Sequence, residues 1–270
     1  MSEKVILITG CGSGLGRILA TLAAERGHRV YAGTRSPSRL YGFFRGPQSP
    51  VPIKLDPAND LSVARAIRLI ARKEKRIDVL INNAAYGLAG PMETIRPAEL
   101  LNSLNVNLCG PLRCIKNVLP LMRAQNKGWI INIGSLRGVM GGRFLGSYGS
   151  SKAALDSISE SLRHELRGSG INVSVVIPGF FPSSFGEHAR YGSDRSGAGA
   201  YAADFGEYLA RVKACTAAPG DKEAVKISGA VLDMVERGKD VFRLIPDPAT
   251  LAAVALKLRR PSELIHERLR

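Results

Sequence analysis

In the stretch GSYGSSKAAL, residues 146–155, Tyr148 and Lys152 stand four positions apart. On a helix that spacing places two side chains on one face. The chemistry on offer is proton transfer, because a free phenol titrates near pH 10 and an adjacent ammonium favours the phenolate. An amphipathic tyrosine beside a solvated lysine has the same spacing, so the pair becomes meaningful only in a setting that supplies something to react.

That setting begins near the N-terminus. An apolar run, KVILITG (4–10), leads into TGCGSGLGR, in which Gly10, Gly12, Ser13, Gly14, Leu15 and Gly16 open a helix continuing ILATLAAERG. Glycines permit the tight turn and let the main chain approach a diphosphate, whose charge is favoured by the free N–H groups at a helix N-terminus. The strand–turn–helix order is what a dinucleotide site requires. The next apolar run ends in VYAGTRSPSRL. An NAD site commonly places Asp or Glu there for the ribose 2′-hydroxyl, whereas this chain offers Thr34 and Arg35, with Ser36 and Arg39 close by. A guanidinium suits a 2′-phosphate, so the expected cofactor is NADP(H) in preference to NAD(H).

Elements able to position these groups alternate along the chain. The runs VPIKLD (51–56), DVLINNA (78–84), WIINIGS (129–135), INVSVVIPG (171–179) and VFRLIP (241–246) join the first two as strand candidates separated by helix-length segments. They are too apolar for half-exposed strands and predict a parallel sheet covered on both faces, a doubly wound α/β architecture. VFRLIP is expected to close one sheet edge ahead of a basic C-terminal helix. Residues 183–228, rich in Gly, Ser and Ala, interrupt the rhythm and are expected to form a substrate cover. The basic block RLIARKEKR (68–76) reads as a solvated amphipathic helix with Asp60 as a possible N-cap.

Composition bounds the function. At 270 residues and 45% hydrophobic, the chain suits one large α/β domain. The opening residues enter a strand directly, which predicts a cytoplasmic protein, and no apolar run approaches the about 20 residues of a membrane-spanning helix. Four cysteines, Cys11, Cys109, Cys114 and Cys215, show no metal-ligand or disulfide spacing and read as small buried thiols. The net charge of +15 fits nucleic acid, a membrane surface or a phosphorylated ligand. No helix-turn-helix, zinc finger or aromatic-studded basic strand accompanies it, which disfavours a nucleic-acid partner.

Together with Ser135, Asn107 and INNAA (81–85), these motifs resemble the short-chain dehydrogenase/reductase family over almost all of residues 4–182. The resemblance implies a single Rossmann domain spanning 1–270 with a seven-stranded parallel sheet. It implies that Tyr148 exchanges a proton with a carbonyl or hydroxyl oxygen, that Lys152 lowers the Tyr148 pKa and binds the nicotinamide ribose, and that Ser135 holds the substrate oxygen. Asn107 would support a water linking Lys152 to solvent. Asp56 resembles the acid that meets adenine, and Asn83 with Ala84 would line the adenosine ribose through their backbone. In PGFFPS (178–183), Pro178, Gly179 and Ser183 would embrace the nicotinamide. Ala85 and Ser183 depart from the family's usual glycine and threonine.

The substrate is less constrained. Leu136, Val139, Met140, Phe144, Leu145, Phe180 and Phe181 are expected as an apolar wall, and similarity to the hydroxysteroid and retinol dehydrogenase group implies a bulky steroid- or terpenoid-like ketone or alcohol. Arg137 and Arg143 point instead to a carboxylate or the phosphate of a carrier-linked acyl chain, as in a 3-oxoacyl thioester reductase. A non-catalytic NADP-sensing or nucleic-acid-binding protein is the reading from another class. Helices about 97–126 and 147–168, the latter with Leu155, Ile158, Leu162 and Leu166 in a stripe, imply by the resemblance a homodimer or homotetramer.

Overall fold

The computed structural model describes residues 2–181, 186–194, 198–217 and 221–258. Among the described residues there are nine strands: β1 (Val5–Thr9), β2 (Arg29–Thr34), β3 (Val51–Lys54), β4 (Val79–Asn82), β5 (Leu88–Ala89), β6 (Gly128–Ile133), β7 (Ile171–Val176), β8 (Arg190–Tyr191) and β9 (Arg243–Leu244). Seven of them make one parallel sheet in the order β3-β2-β1-β4-β6-β7-β9, and β5 pairs with β8 in a separate two-stranded ribbon. The doubly wound expectation holds. Two of the apolar runs outlast their strands at the carboxyl end: DVLINNA leaves the sheet after Asn82 and INVSVVIPG after Val176. The surplus residues turn out at the carboxyl ends of the strands, where ligands of open α/β sheets bind.

Alternation along each strand feeds two apolar layers. Ile6, Ile8, Val30, Ile81 and Ile131 pack beneath α1 (Gly14–Glu25) and α8 (Lys222–Glu236), meeting Leu19, Ala23, Val231 and Leu232. Leu7, Tyr31, Leu80 and Ile130 face the other way, against α2 (Asp60–Glu74) and, across Ile115, Val118 and Met122, the helix that follows β5. That helix has three parts: α3 (Pro97–Leu104), a π-helical turn (Asn105–Cys109) and α4 (Gly110–Ala124). After β6 come the single turn α5 (Leu136–Val139) and the long α6 (Gly146–Glu165); α7 (Ala202–Ala217) and α9 (Pro248–Leu258) complete the set.

Two expectations are corrected. The cap of α2 is Asn59, whose side chain accepts the Ser62 N–H at 2.8 Å, and Asp60 is the first helical residue. The segment expected as a cover ends before 228, because α8 starts at Lys222 and buries Ala224, Ile227 and Ser228. Of the expected basic C-terminal helix, α9 is described as far as Leu258 with Lys257 in its last turn, and the basic residues from Arg259 on lie outside the described residues. Cys11 and Cys114 are buried thiols and Cys109 is half-buried. Among the described residues no helix is long and apolar enough to cross a membrane, and no group of three or more His, Cys, Asp or Glu could hold a metal ion.

The sheet and α1 meet most tightly at Gly16. A Cβ there would lie 2.4 Å from Asn83 Nδ2 and 2.5 Å from the Gly10 carbonyl oxygen, and the latter is main chain that cannot swing aside. Gly16→Ala is therefore expected to cost about 1–3 kcal/mol in a denaturant titration and to weaken dinucleotide binding at the same time; unchanged stability would show that the contact is not tight.

Candidate active site

Tyr148 and Lys152 share the inner face of α6, with relative exposures of 9% and 3%. Lys152 Nζ donates to the Ile133 carbonyl at 2.7 Å, at the end of β6, and lies 5.9 Å from the centroid of the Tyr148 ring. Buried polar groups hold α6 on the sheet: Asn82 donates to Asn132 at 2.8 Å, and Asn132 donates to Ser159 Oγ at 2.8 Å. Two glycines set how closely α5 approaches. A Cβ at Gly138 would fall 2.9 Å from the Lys152 carbonyl carbon, and one at Gly149 would fall 2.8 Å from the Arg137 carbonyl oxygen. This contact carries Ser135, which caps α5 by accepting the Arg137 N–H at 3.1 Å, to within a hydrogen bond of the Tyr148 phenol.

Burial governs the titration of the pair. The Tyr148 phenol is pushed up to about 12, with the Ser135 hydrogen bond offsetting part of the rise, and burial pushes the Lys152 ammonium down to about 8. The expected lowering of the tyrosine is reversed here, because desolvation of a phenolate outweighs the influences around it. At neutral pH the phenol keeps its proton, the form from which a carbonyl oxygen is protonated.

Asn107 sits in the π-helical turn and is fully buried. Its Nδ2 donates to the Tyr86 carbonyl at 3.0 Å and to Ser151 Oγ at 3.1 Å, and its Oδ1 accepts the Tyr86 N–H at 3.1 Å. The amide thus anchors the loop after β4 to α6, one residue from Lys152.

The nucleotide end forms around the first turn. Asn83 Nδ2 donates to the carbonyls of Thr9 at 3.0 Å and Gly10 at 3.3 Å, while Thr9 Oγ1 accepts the N–H groups of Asn83 and Ala84, each at 3.0 Å. The Asn83 and Ala84 N–H groups are therefore spent on the turn. Gly10, Gly12, Ser13, Gly14, Leu15, Gly16, Thr34, Arg35, Asp56, Asn83, Ala84, Ser135, Tyr148, Lys152, Pro178 and Gly179 all line one cleft of about 870 Å³. Asn107 lies behind its wall, and Ser183 falls outside the described residues. Thr34 is buried while Arg35 is exposed at the rim. Asp56 caps its own turn by accepting the Ala58 N–H at 3.0 Å.

The substrate side agrees in part with expectation. Leu136, Leu145, Phe180 and Phe181 line the cleft; Val139, Met140 and Phe144 do not. Phe144 is buried beneath α7, its ring centroid 5.0 Å from that of Phe205 and 5.6 Å from that of Tyr208. Arg143 is paired with Asp204 of α7 and does not line the cleft. Tyr86, His188, Arg190, Tyr208 and Val212 also line the cleft. They carry no motif, although His188, Arg190, Tyr208 and Val212 fall in the segment expected as a cover. His188 Nε2 lies 3.3 Å from Ser13 Oγ, across the mouth.

A dinucleotide fits this donor set. The side chain of Ser13, N-cap of α1, makes no capping bond, and a Cβ at Gly12 would meet nothing closer than Thr34 Oγ1 at 3.4 Å, so the main chain is bare at the helix N-terminus. The family description short chain dehydrogenase matches residues 4–192. The chain belongs to the short-chain dehydrogenase/reductase family. Members of this family are oxidoreductases acting on hydroxyl and keto groups with a nicotinamide cofactor. The chain is 40% identical over 185 residues to a 3-ketodihydrosphingosine reductase of Bacteroides thetaiotaomicron, covering 68% of this chain and 66% of that protein. It is 35% identical over 197 residues to human 17-beta-hydroxysteroid dehydrogenase type 1, covering 69% and 60% respectively. The match thus spans less than two-thirds of either relative's length. A crystal structure of a short-chain dehydrogenase from Streptomyces avermitilis is similar with a TM-score of 0.83 at 26% identity, covering 98% of this chain and 96% of that one.

The depressed Lys152 pKa has a sign in stability. Between about 8, its folded value, and the ordinary 10.5 of lysine, the unfolded chain binds more protons than the folded one, so stability rises with pH across that window. The raised phenol acts oppositely, and only above about 10, where an unfolded tyrosine begins to ionise. Thermal melts from pH 8 to pH 10 are expected to show the cofactor-free wild type gaining on Lys152→Met; a constant difference between the two would contradict the assignment.

Proposed function

We propose that the protein is an NADP(H)-dependent oxidoreductase interconverting a ketone and a secondary alcohol on a bulky hydrophobic substrate. The observation that carries this reading is the convergence of Tyr148, Ser135 and Lys152 on the wall of the cleft that also holds the bare glycine turn. The N–H groups at the start of α1 would hold the diphosphate, Thr34 and Arg35 the 2′-phosphate, and Lys152 the nicotinamide ribose. When bound, the cofactor supplies or accepts the hydride.

The proton side belongs to the chain. In reduction the Tyr148 hydroxyl gives its proton to the carbonyl oxygen, while Ser135 Oγ donates to the same oxygen and steadies the charge that develops there. In oxidation the proton returns to Tyr148. The Lys152 ammonium, screened from water and held on the Ile133 carbonyl, favours the phenolate left after donation. Asn107 keeps the opposite wall in place through Tyr86. The relatives' names, a 3-ketodihydrosphingosine reductase and a 17-beta-hydroxysteroid dehydrogenase, support a keto or hydroxyl group on a large apolar skeleton. Leu136, Leu145, Phe180 and Phe181 suit such a body. The basic charge that suggested a nucleic-acid binder or non-catalytic sensor is accounted for in part at the cleft rim by Arg35 and Arg39.

We also propose a homodimer or homotetramer built on α3–α4 and α6. Leu101 and Leu112 are exposed on the outer side of the first of these, at 64% and 47%, and are suited to burial against a second copy.

Three outcomes test the reading. Tyr148→Phe should lower kcat by about 10²–10⁴-fold while NADPH still binds, and unimpaired turnover would defeat the mechanism. In cofactor titrations Arg35→Asp should weaken NADPH by about tenfold or more and NADH far less, so equal losses would remove the phosphate assignment. Sedimentation at micromolar concentration should give a dimer or larger; a monomer would reject the assembly.

A further inference from the structure

Two guanidinium groups line the substrate side of the cleft, and neither makes an ion pair among the described residues. Their placement is tied to the reacting groups. The Arg137 N–H donates to Ser135 Oγ at 3.1 Å, and its carbonyl oxygen occupies the space left by Gly149, next to Tyr148. The Arg137 guanidinium lies across Gly142, where a Cβ would come within 2.8 Å of it, and spends one donor on the Gly141 carbonyl at 3.3 Å. Arg190 is held from the opposite wall. Its N–H donates to the Gly87 carbonyl at 2.8 Å, and its guanidinium sits 4.7 Å over the ring of Tyr86, whose backbone Asn107 grips on both sides. Glu99, close enough to Tyr86 to act on its hydroxyl, accepts from the Arg96 and Ser193 N–H groups.

Arg143 provides the contrast. It lies outside the cleft lining and is paired with Asp204. Arg137, half-buried at the cleft, and Arg190, exposed at it, have no such partner among the described residues, so the positive field they set up is one that an anion uses and a purely apolar ketone does not. Resting on the oxidoreductase reading above, we propose that the substrate carries an anionic oxygen group, a carboxylate or a phosphate, on its apolar skeleton, and that Arg137 and Arg190 receive it. The hydride and proton chemistry is unchanged; the anion fixes which end of the skeleton meets Tyr148. Guanidinium forks match both groups in geometry.

The test is calorimetric binding to the NADP⁺-loaded protein of a hydroxysteroid bearing a side-chain carboxylate, its methyl ester and its phosphate-bearing counterpart. A long-chain 3-hydroxy fatty acid and its methyl ester form a second set. Wild type is expected to bind a charged member about tenfold or more tightly than its ester, and Arg137→Gln and Arg190→Gln each to cut that preference at least about threefold. Whether carboxylate or phosphate binds tighter identifies the group. Equal or undetectable binding of charged members in both sets, or a preference that survives both substitutions, would overturn the proposal. Tyr148→Phe run alongside separates the two readings: retained turnover overturns the oxidoreductase assignment, whereas the charged-over-neutral preference reports on the arginines alone.

Discussion

The buried ammonium of Lys152, resting on the main-chain carbonyl of Ile133, is the contact on which the active-site side of the molecule depends. Taking an ammonium out of water is costly unless its hydrogen-bonding capacity is met, so the end of β6 and the second turn of α6 must stay in register. The Asn82–Asn132–Ser159 chain supplies that register from inside the sheet, and the side-chain-free surfaces of Gly138 and Gly149 supply it from outside. Tyr148 and Ser135 then fall beside each other as a consequence of how two elements are seated.

The nucleotide half is organised by a comparable device made of neutral groups. Thr9 and Asn83 lace the end of β1 to the loop after β4, so the glycine turn opens where strand order reverses. Because all seven strands of the main sheet run parallel, both devices lie at the same carboxyl edge. One edge thereby presents the bare N-terminus of α1 and the Tyr148 hydroxyl to a single cleft.

Much of this was legible in the chain. Strand runs buried on both faces have a composition that declares itself, and glycines that open a helix after such a run have few other uses. The Tyr148–Lys152 spacing told which face of α6 matters. What stayed hidden depends on partners distant in sequence. Asn107 could be placed on its helix, but its grip on Tyr86 exists only because a π-helical turn brings the amide to a loop joined to another strand. Tyr208 and Arg190 sit in a segment whose periodicity is broken into short pieces, and β8 is only two residues long. The sign of the Tyr148 shift was also beyond reach, since spacing reports a neighbouring charge and says nothing of how completely a phenol is dried.

The described part of the segment between β7 and α8 is fastened in two dissimilar ways. Its root is laced by main-chain bonds, Arg190 to Gly87 and Gly192 to Ala89, whereas α7 rests on Phe144 through a cluster of rings. Main-chain lacing tolerates almost any side chain but permits little sliding; ring contacts are specific in shape yet weakly directional. Exchange of Tyr208, the ring of α7 that also lines the cleft, would therefore reshape that wall while the main-chain lacing at Arg190 and Gly192 stays in place.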